Sequence, residues 1–329
     1  MSDTVVVGLD VGGTSTRAAA LSLDGRRLGT GRAGGGNPTS HGAERAAGEL
    51  LAALREALAD VDPTRVRAGT IGLAGAARLL ADPAGRDAFD RAWRDAGLRC
   101  PYDVHGDALV AYASGTASPE GTVVIAGTGA IAAQVRELRL DRVADGHGWL
   151  LGDAGSGFWL GREAVRRLLS DLDRGQAPGR LGTAVLTELM GSAEVAPRPR
   201  DTGDALIQAV TRRSPVELAR LAPLVVTAAV DGEPVARGLI DEAAAHLAES
   251  TARIRPAGDA SPIVLGGGLL TGDTPLASAV RAEVARRWPD APLCSAGDGA
   301  AAAAWLAARD LPEVTDPGAL HALLLPPTS

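Results

Sequence analysis

The chain has 329 residues, of which 46% are hydrophobic and only 3% aromatic, so it can bury a sizeable core built mainly from Ala, Leu and Val. Its formal net charge of -7 argues against a general binder of nucleic acid or anionic membranes. The 33 basic residues are all arginines, which excludes any mechanism that needs a lysine, such as a P-loop lysine or a Schiff base.

Cysteine usage and the N-terminal segment indicate the compartment. Cys100 and Cys294 form neither a CxxC pair nor a zinc-ligand spacing, so we expect reduced thiols. Residues 1–20 lack the charged and apolar regions of a signal peptide, and the uncharged runs elsewhere are too short or too interrupted to span a bilayer. The sequence therefore predicts a cytoplasmic protein that binds neither membrane nor nucleic acid.

The N-terminal third reads as β-β-β-α-β-α-β-α. The valine-rich stretch TVVVGLDV, residues 4–11, predicts the first strand, and Asp24-Gly25 predicts a hairpin turn before the third. A helix is predicted over residues 42–61, because apolar residues recur there at helical spacing: Ala47, Leu50, Leu51, Leu54 and Leu58.

The opening pattern returns near residue 121. GTVVIAGTGAIAAQV repeats the order of the N-terminal stretch: valines, a glycine-threonine-glycine bend and small apolar residues. Two copies of one plan predict two similar domains with ligand at the seam, which we place at 1–116 and 117–315, with the tail 316–329 as a candidate addition to the first. Residues 174–204 hold Pro and Gly and indicate an insertion or a lid.

Two glycine bends are candidates for phosphate binding. Successive backbone N–H groups after a buried strand make an anion-binding nest, which predicts that Gly12, Gly13 and Thr14 grip a triphosphate together with the bend 127–129, which holds Thr128 and Gly129. An ordinary hairpin turn is the alternative for each bend. Asp10 stands at the strand end, where a carboxylate suits hydrated Mg²⁺.

Several motifs together resemble one family. GLDVGGTSTRAAAL, GDALVAYASG, VVIAGTGAIAAQV, GHGWLLGDAGSGFWLG and IVLGGGLL occur in the order seen in the N-acetylglucosamine kinase branch of the BadF/BadG/BcrA/BcrD ATPase family, within the actin-like ATPase and sugar kinase superfamily. The resemblance covers nearly the whole chain. It implies an α/β fold with two ribonuclease-H-like (actin-like ATPase) domains around an interdomain cleft, and transfer of the ATP γ-phosphate to an amino sugar with Mg²⁺.

The resemblance also implies roles for individual residues. Asp107 is the base that accepts the proton of the attacking hydroxyl, although a helix N-cap is the plainer interpretation of an aspartate there. The sugar contacts are Asn37, for which a turn residue is the alternative, with Asp107, His147, Gly148 and Asp153. The nucleoside pocket is formed by Ala219, Gly266, Gly267 and Gly268. For Ala219, an ordinary core alanine is the alternative.

Two departures from the family pattern affect substrate choice. His147-Gly148-Trp149 stands where the eukaryotic enzymes read Trp-Gly-His, and Ala154 replaces a glutamate. N-acetylglucosamine, phosphorylated at its 6-hydroxyl, is the first expectation, with glucosamine and N-acetylmuramic acid as alternatives. Relatives of this type suggest a homodimer.

Two functions of other classes are less favoured. An ATP-driven activator of an iron–sulfur dehydratase needs a cluster held by thiolates, and the two cysteines show no such arrangement. A sugar-sensing repressor needs a DNA-binding surface, which the acidic charge disfavours.

Overall fold

A computed structural model describes residues 4–326 and contains two five-stranded sheets. The strands of this part of the chain are β1 (Val5–Val11), β2 (Thr16–Ser22), β3 (Arg27–Ala33), β4 (Val66–Leu73), β5 (Tyr102–Gly106), β6 (Gly121–Ala126), β7 (Ala130–Arg136), β8 (Arg139–Asp145), β9 (Ile263–Gly266) and β10 (Leu293–Ser295).

The helices make up most of the remaining described chain. The α-helices are α1 (Pro38–His41), α2 (Ala43–Ala57), α3 (Ala76–Ala81), α4 (Pro83–Asp95), α5 (Asp107–Ala113), α6 (Gly157–Asp173), α7 (Arg180–Met190), α8 (Pro199–Thr211), α9 (Ala222–Val230), α10 (Pro234–Ile254), α11 (Gly268–Thr271), α12 (Pro275–Arg287), α13 (Gly299–Ala308) and α14 (Pro317–Leu324). Two 3-10 helices span Pro63–Arg65 and Pro215–Leu221.

The first sheet has the order β3-β2-β1-β4-β5. The pairs β1–β2 and β2–β3 are antiparallel, whereas β4 pairs in parallel with both β1 and β5. The predicted Asp24-Gly25 turn joins β2 to β3, and the predicted strand and helix order of the N-terminal third is confirmed, with the short helices α1 and α3 added. The carboxyl ends of β1, β4 and β5 consequently lie at one edge of the sheet.

Helix and sheet in this part of the chain pack through small residues. The apolar face predicted for the helix over residues 42–61, which corresponds to α2, is confirmed. Leu50 and Leu54 are fully buried in the same core as Val7 and Leu9 of β1. On the other side of β1, a Cβ on Gly8 would overlap the backbone of α13, so glycine permits the close approach of this helix. The hydrophobic effect of this burial holds α2 and α13 against the sheet.

The second sheet has the order β10-β9-β6-β7-β8. Its β6 and β9 contribute Val124 and Ile263, both fully buried, to a core shared with helices α6, α9, α10 and α12. Leu181, Val185 and Leu186 of α7 are buried in the same core. The segment 174–204 is therefore built around a packed helix. Core burial holds residues 180–190 in place, which favours an insertion over a lid for that part of the segment.

The chain divides into two compact units. The first comprises Met1–Val123, Val135–Asp141 and Cys294–Ser329, and the second comprises Val124–Gln134 and Arg142–Leu293. The predicted domain bounds of 1–116 and 117–315 stay a prediction, and residues 327–329 of the tail lie outside the described residues. Within residues 4–326, no helix is both long enough and apolar enough to cross a membrane.

Candidate functional site

The first glycine bend joins β1 to β2 in the first unit. Gly36 N–H donates to the Gly12 carbonyl at 3.0 Å, which ties the bend to the segment after β3. A Cβ on Gly13 would meet no atom within 4 Å, and neither glycine of the bend has a positive φ. Because neither packing nor backbone conformation requires glycine at position 13, the open space suits close approach of a ligand, with Thr14 exposed beside it.

Asp10 precedes this bend and lies in an acidic neighbourhood. Burial raises the pKa of Asp10 above its ordinary value of 3.8, Arg17 opposes this shift, and the negative charges of Asp107 and Asp298 add to it. Arg17 is the cross-strand partner of Asp10 on β2. The negative charges around Asp10 make this end of β1 a place where a divalent cation would be favoured.

Asp107 opens α5 at the end of β5, but it is not the helix cap. The N-cap is Gly106, and Asp107 is the first helical residue, so the interpretation of Asp107 as the capping residue is wrong. Its Oδ1 accepts a hydrogen bond from the Ala108 N–H at 3.0 Å. Solvent reaches the side chain, yet the surrounding protein desolvates the carboxylate enough to raise its pKa. A raised pKa makes a carboxylate a better proton acceptor near neutral pH.

Asn37 caps α1 and is held in a defined orientation. Its Oδ1 accepts from the Thr39 N–H at 2.8 Å, so the Nδ2 amide is left to donate. A Cβ on Gly75, the N-cap of α3, would lie 3.0 Å from the same Oδ1. Asn37 is thus a helix N-cap with extended backbone, and its amide group remains suited to a sugar hydroxyl.

The sequence interpretation missed Asp298. Its Oδ1 accepts from the Ala301 N–H at 3.0 Å and caps α13, and its Oδ2 accepts from Arg27 at 2.6 Å. A Cβ on Gly299 would lie 2.7 Å from Asp10 Oδ2, so glycine lets the start of α13 contact that carboxylate. The available sequence signal was Gly-Asp-Gly ahead of a run of alanines, typical of a capped, closely packed helix.

The second glycine bend joins β6 to β7 in the second unit. The start of α6 holds this bend, because Gly157 N–H donates to the Gly127 carbonyl at 2.8 Å and Phe158 N–H donates to the Thr128 carbonyl at 3.1 Å. A Cβ on Gly127 would meet no atom within 4 Å, and Thr128 is exposed. The repeated pattern in the sequence thus corresponds to a second bend with the same unused space.

The predicted nucleoside residues come together beside the second bend. Gly267 follows β9, and a Cβ on it would overlap the carbonyl of Ala126, the last residue of β6. Gly268 has open space where a Cβ would stand. The Ala219 carbonyl oxygen lies 3.6 Å from the Cβ position of Gly157, whose N–H donates to the Gly127 carbonyl of the bend. Gly266, the last residue of β9, is buried.

The predicted sugar residues of the second unit lie on the loop between β8 and α6. His147 and Gly148 are exposed, and Trp149 makes an edge contact with the buried Phe158 at a centroid distance of 6.0 Å. Asp153 accepts a hydrogen bond from the Ala130 N–H at 3.2 Å, directly after the second bend, and a Cβ on the neighbouring Gly129 would lie 3.0 Å from its carboxylate. Burial raises the pKa of Asp153.

The two α/β sheets with glycine bends at their strand ends have the organisation of actin-like ATPases and sugar kinases. The chain belongs to the BadF/BadG/BcrA/BcrD ATPase family, whose model matches residues 7–307. The family resemblance and the α/β fold predicted from the sequence are confirmed.

Two relatives with similar sequences are named as sugar kinases. The chain is 30% identical over 190 residues to an N-acetyl-D-glucosamine kinase of Dictyostelium discoideum, an alignment that covers 53% of this chain and 57% of the relative. It is 28% identical over 246 residues to an N-acetylmuramic acid/N-acetylglucosamine kinase of Clostridium acetobutylicum, covering 74% of this chain and 76% of the relative. The chain thus spans little more than half the length of the first of these enzymes.

Solved structures share the fold of this chain. A proposed N-acetylglucosamine kinase from Chromobacterium violaceum is 25% identical, with a TM-score of 0.70, and the alignment covers 92% of this chain and 98% of that one. A ROK family glucokinase from Streptomyces griseus, solved with glucose and AMPPNP, shares the fold at 22% identity and a TM-score of 0.57, covering 93% and 99% of the two chains. These similarities are consistent with an ATP-dependent phosphotransferase.

Proposed function

We propose that the protein is an ATP-dependent amino-sugar kinase that transfers the γ-phosphoryl group of ATP to the 6-hydroxyl of N-acetylglucosamine, giving N-acetylglucosamine 6-phosphate and ADP. The observation that carries this proposal is Asp107, a solvent-reached carboxylate of raised pKa beside Asp10 and at the same sheet edge as the first glycine bend. Family membership and the named relatives support the kinase class.

The chemistry asks little covalent work of the protein. The 6-oxygen of the sugar attacks the γ-phosphorus, the bond to the β-phosphate oxygen breaks, and Asp107 takes the hydroxyl proton as the new bond forms. Asn37 donates its Nδ2 amide to a sugar hydroxyl, and His147, Gly148 and Asp153 supply further sugar contacts. These contacts hold the acceptor in the orientation that phosphoryl transfer needs.

The nucleotide is held by backbone and small residues. The N–H groups around Gly12, Gly13 and Thr14, and around Thr128 and Gly129, donate to phosphate oxygens. The adenosine lies against four small residues that leave room for the adenine ring: Ala219, Gly266, Gly267 and Gly268.

The donor set near the first bend fits Mg²⁺. Within residues 4–326, no three His, Cys, Asp or Glu side chains converge on a metal-binding geometry. Mg²⁺ commonly keeps several waters and shares one or two carboxylates with substrate phosphates, so Asp10 suffices as the protein ligand, through water. When bound, the ion neutralises charge on the phosphate oxygens.

Substrate choice depends on the loop after β8. N-acetylmuramic acid is the second candidate, because the Clostridium relative is named for both sugars and Ala154 replaces a larger acidic residue of the family pattern. Glucosamine is the third candidate. A homodimeric state and a cytoplasmic location stay predictions, of which the first is measured by light scattering on the purified protein.

The test is a coupled ADP-release assay with ATP and Mg²⁺ across N-acetylglucosamine, N-acetylmuramic acid, glucosamine, N-acetylmannosamine and glucose. We expect N-acetylglucosamine to give the highest kcat/KM, and mass spectrometry with NMR to place the phosphate on O6. A higher kcat/KM for N-acetylmuramic acid would reassign the substrate, and no sugar-dependent ADP release would contradict the kinase.

A further inference from the structure

Asp145 is the last residue of β8, and its carboxylate binds the backbone at the end of the following loop, which contains the predicted sugar residues His147, Gly148 and Asp153. Its Oδ1 accepts from the Asp153 N–H at 2.6 Å, and its Oδ2 accepts from the Ala154 N–H at 2.9 Å. The residue is 9% exposed, so these bonds form largely away from water. One buried carboxylate therefore fixes two consecutive amides and closes the loop 146–152 into a ring.

The backbone at Asp153 needs such support. Its φ of 58° lies in the left-handed region, which non-glycine residues occupy only at a cost in free energy. Asp145 itself has a φ of 63°. Hydrogen bonds to a carboxylate are among the stronger ones, so the two N–H bonds that Asp145 accepts offset the strain. With the backbone fixed in this way, the Asp153 carboxylate reaches the Ala130 N–H next to the second glycine bend.

Gly152 shows how closely the ring is packed around Asp145. A Cβ on Gly152 would overlap Asp145 Oδ1 and would lie 3.0 Å from the Cβ of His147. The φ of Gly152 is not positive, so this close contact is what requires glycine there. Glycine at 152 and aspartate at 145 therefore form one steric unit.

We infer that Asp145 is a positioning residue for the kinase reaction: through its two backbone hydrogen bonds it sets the orientation in which Asp153 contacts the sugar. This inference rests on the proposed function. Asp145 does not touch the reacting atoms, and it acts on the sugar only through Asp153. Two aspartates with left-handed backbone conformations, Asp145 and Asp153, thus bracket the loop 146–152.

The test is a double-mutant cycle between Asp145→Asn and Asp153→Asn, read in the KM for the best sugar. Asparagine at 145 keeps the size but presents an acceptor to only one of the two amides. We expect Asp145→Asn alone to raise the sugar KM by about tenfold or more, the size typical of a lost hydrogen bond to a charged group, with ATP KM and kcat changed by less than about threefold.

In the Asp153→Asn background, the same change should have little further effect, because residues that act as a unit are not additive. Asp141→Asn is the matched control, since Asp141 is on the same strand and forms only an exposed ion pair with Arg136 at 3.4 Å. Gly152→Ala should reproduce the rise in sugar KM, because the added methyl group displaces the Asp145 carboxylate.

Hydrogen–deuterium exchange gives a readout without turnover. In the absence of ligands, Asp145→Asn and Gly152→Ala should each speed amide exchange at residues 153 and 154 while the helices keep wild-type protection. Unchanged exchange at these two residues would overturn the inference. Additive effects of Asp145→Asn and Asp153→Asn on the sugar KM of an active enzyme would overturn it as well. A different outcome is that the wild-type protein phosphorylates none of the sugars, while the variants still lose protection in the loop. This result would overturn the proposed function and the sugar role of Asp153 together.

Discussion

The Asp107 carboxylate raises the pKa of the Asp10 carboxylate, so the two acids repel one another when both are charged. Burial raises both pKa values above 3.8 in the folded protein. The folded state thus binds these protons more tightly than the unfolded chain does. Stability is consequently lowered at neutral pH and regained as the pH falls through the folded pKa values toward 3.8.

The first prediction follows from this sign. Asp10→Asn and Asp107→Asn should each leave the Tm of the ligand-free protein at pH 7 equal to or above that of the wild type, because each removes a desolvated charge. The measurement is thermal unfolding followed by circular dichroism, with Asp103→Asn, an exposed change on β5, as the control. A fall in Tm of several degrees for both site variants, with the control unchanged, would contradict the assigned electrostatics.

The second prediction concerns the unused space at the glycine bends. Gly13→Ala and Gly127→Ala should raise the KM for ATP severalfold, because the added methyl groups occupy room that no protein atom uses. Tm should not fall, since neither position has a positive φ. Gly48→Ala on α2, where a Cβ also meets nothing, is the control. Wild-type nucleotide kinetics in both bend variants would remove the bends from phosphate binding.

The third prediction concerns the contact between α13 and Asp10. A methyl group on Gly299 would lie 2.7 Å from Asp10 Oδ2 and 2.8 Å from its Cγ, so Gly299→Ala must displace the carboxylate or the helix. Overpacking of this kind costs about 1–3 kcal/mol of unfolding free energy. The apparent Mg²⁺ requirement should rise as well.

Urea unfolding and Mg²⁺ titration of the ADP-release rate measure the two effects. Gly238→Ala on α10 is the control, because a Cβ there meets no atom within 4 Å, and it should stabilise slightly. If Gly299→Ala behaves like this control in both assays, then the close contact does not position Asp10.

Local patterns in the sequence were enough to predict the early strands, the buried face of α2 and both glycine bends. These features depend on the order of neighbouring residues, which a single sequence contains. The local signal predicts Asp298 as a helix cap, but its place near Asp10 was missed because that depends on residues far apart in the chain. Asp145 was missed because its partners are backbone amides eight and nine residues further on, which carry no sequence signature.

The prediction of Asp107 as a helix N-cap was wrong because the position of a helix start depends on the strand before it. Aspartate is a preferred N-cap, so the residue type favours that position, but β5 continues through Gly106 and places the aspartate one residue inside α5. Residue type alone does not distinguish these positions, since helix ends vary by one residue with the preceding strand.

The fourth prediction is the pH dependence of turnover. A general base acts in its charged form, so kcat/KM should fall as the pH drops through the pKa of Asp107, and this acid limb should lie above the 3.8 of an ordinary aspartate. The profile is measured with the best sugar at saturating ATP and Mg²⁺. In Asp107→Asn the limb should disappear from the residual activity, and an unchanged limb would assign it to another group, with Asp153 as the next candidate.

The central claim is tested most directly by the kcat of Asp107→Asn on the best sugar. Asparagine keeps the size and can still accept the Ala108 N–H bond, so folding should be retained while the base is lost. A general base contributes about 10²–10⁴-fold in rate, so kcat should fall by about two orders of magnitude or more, with the KM for ATP little changed. A folded Asp107→Asn variant with wild-type kcat would contradict the account.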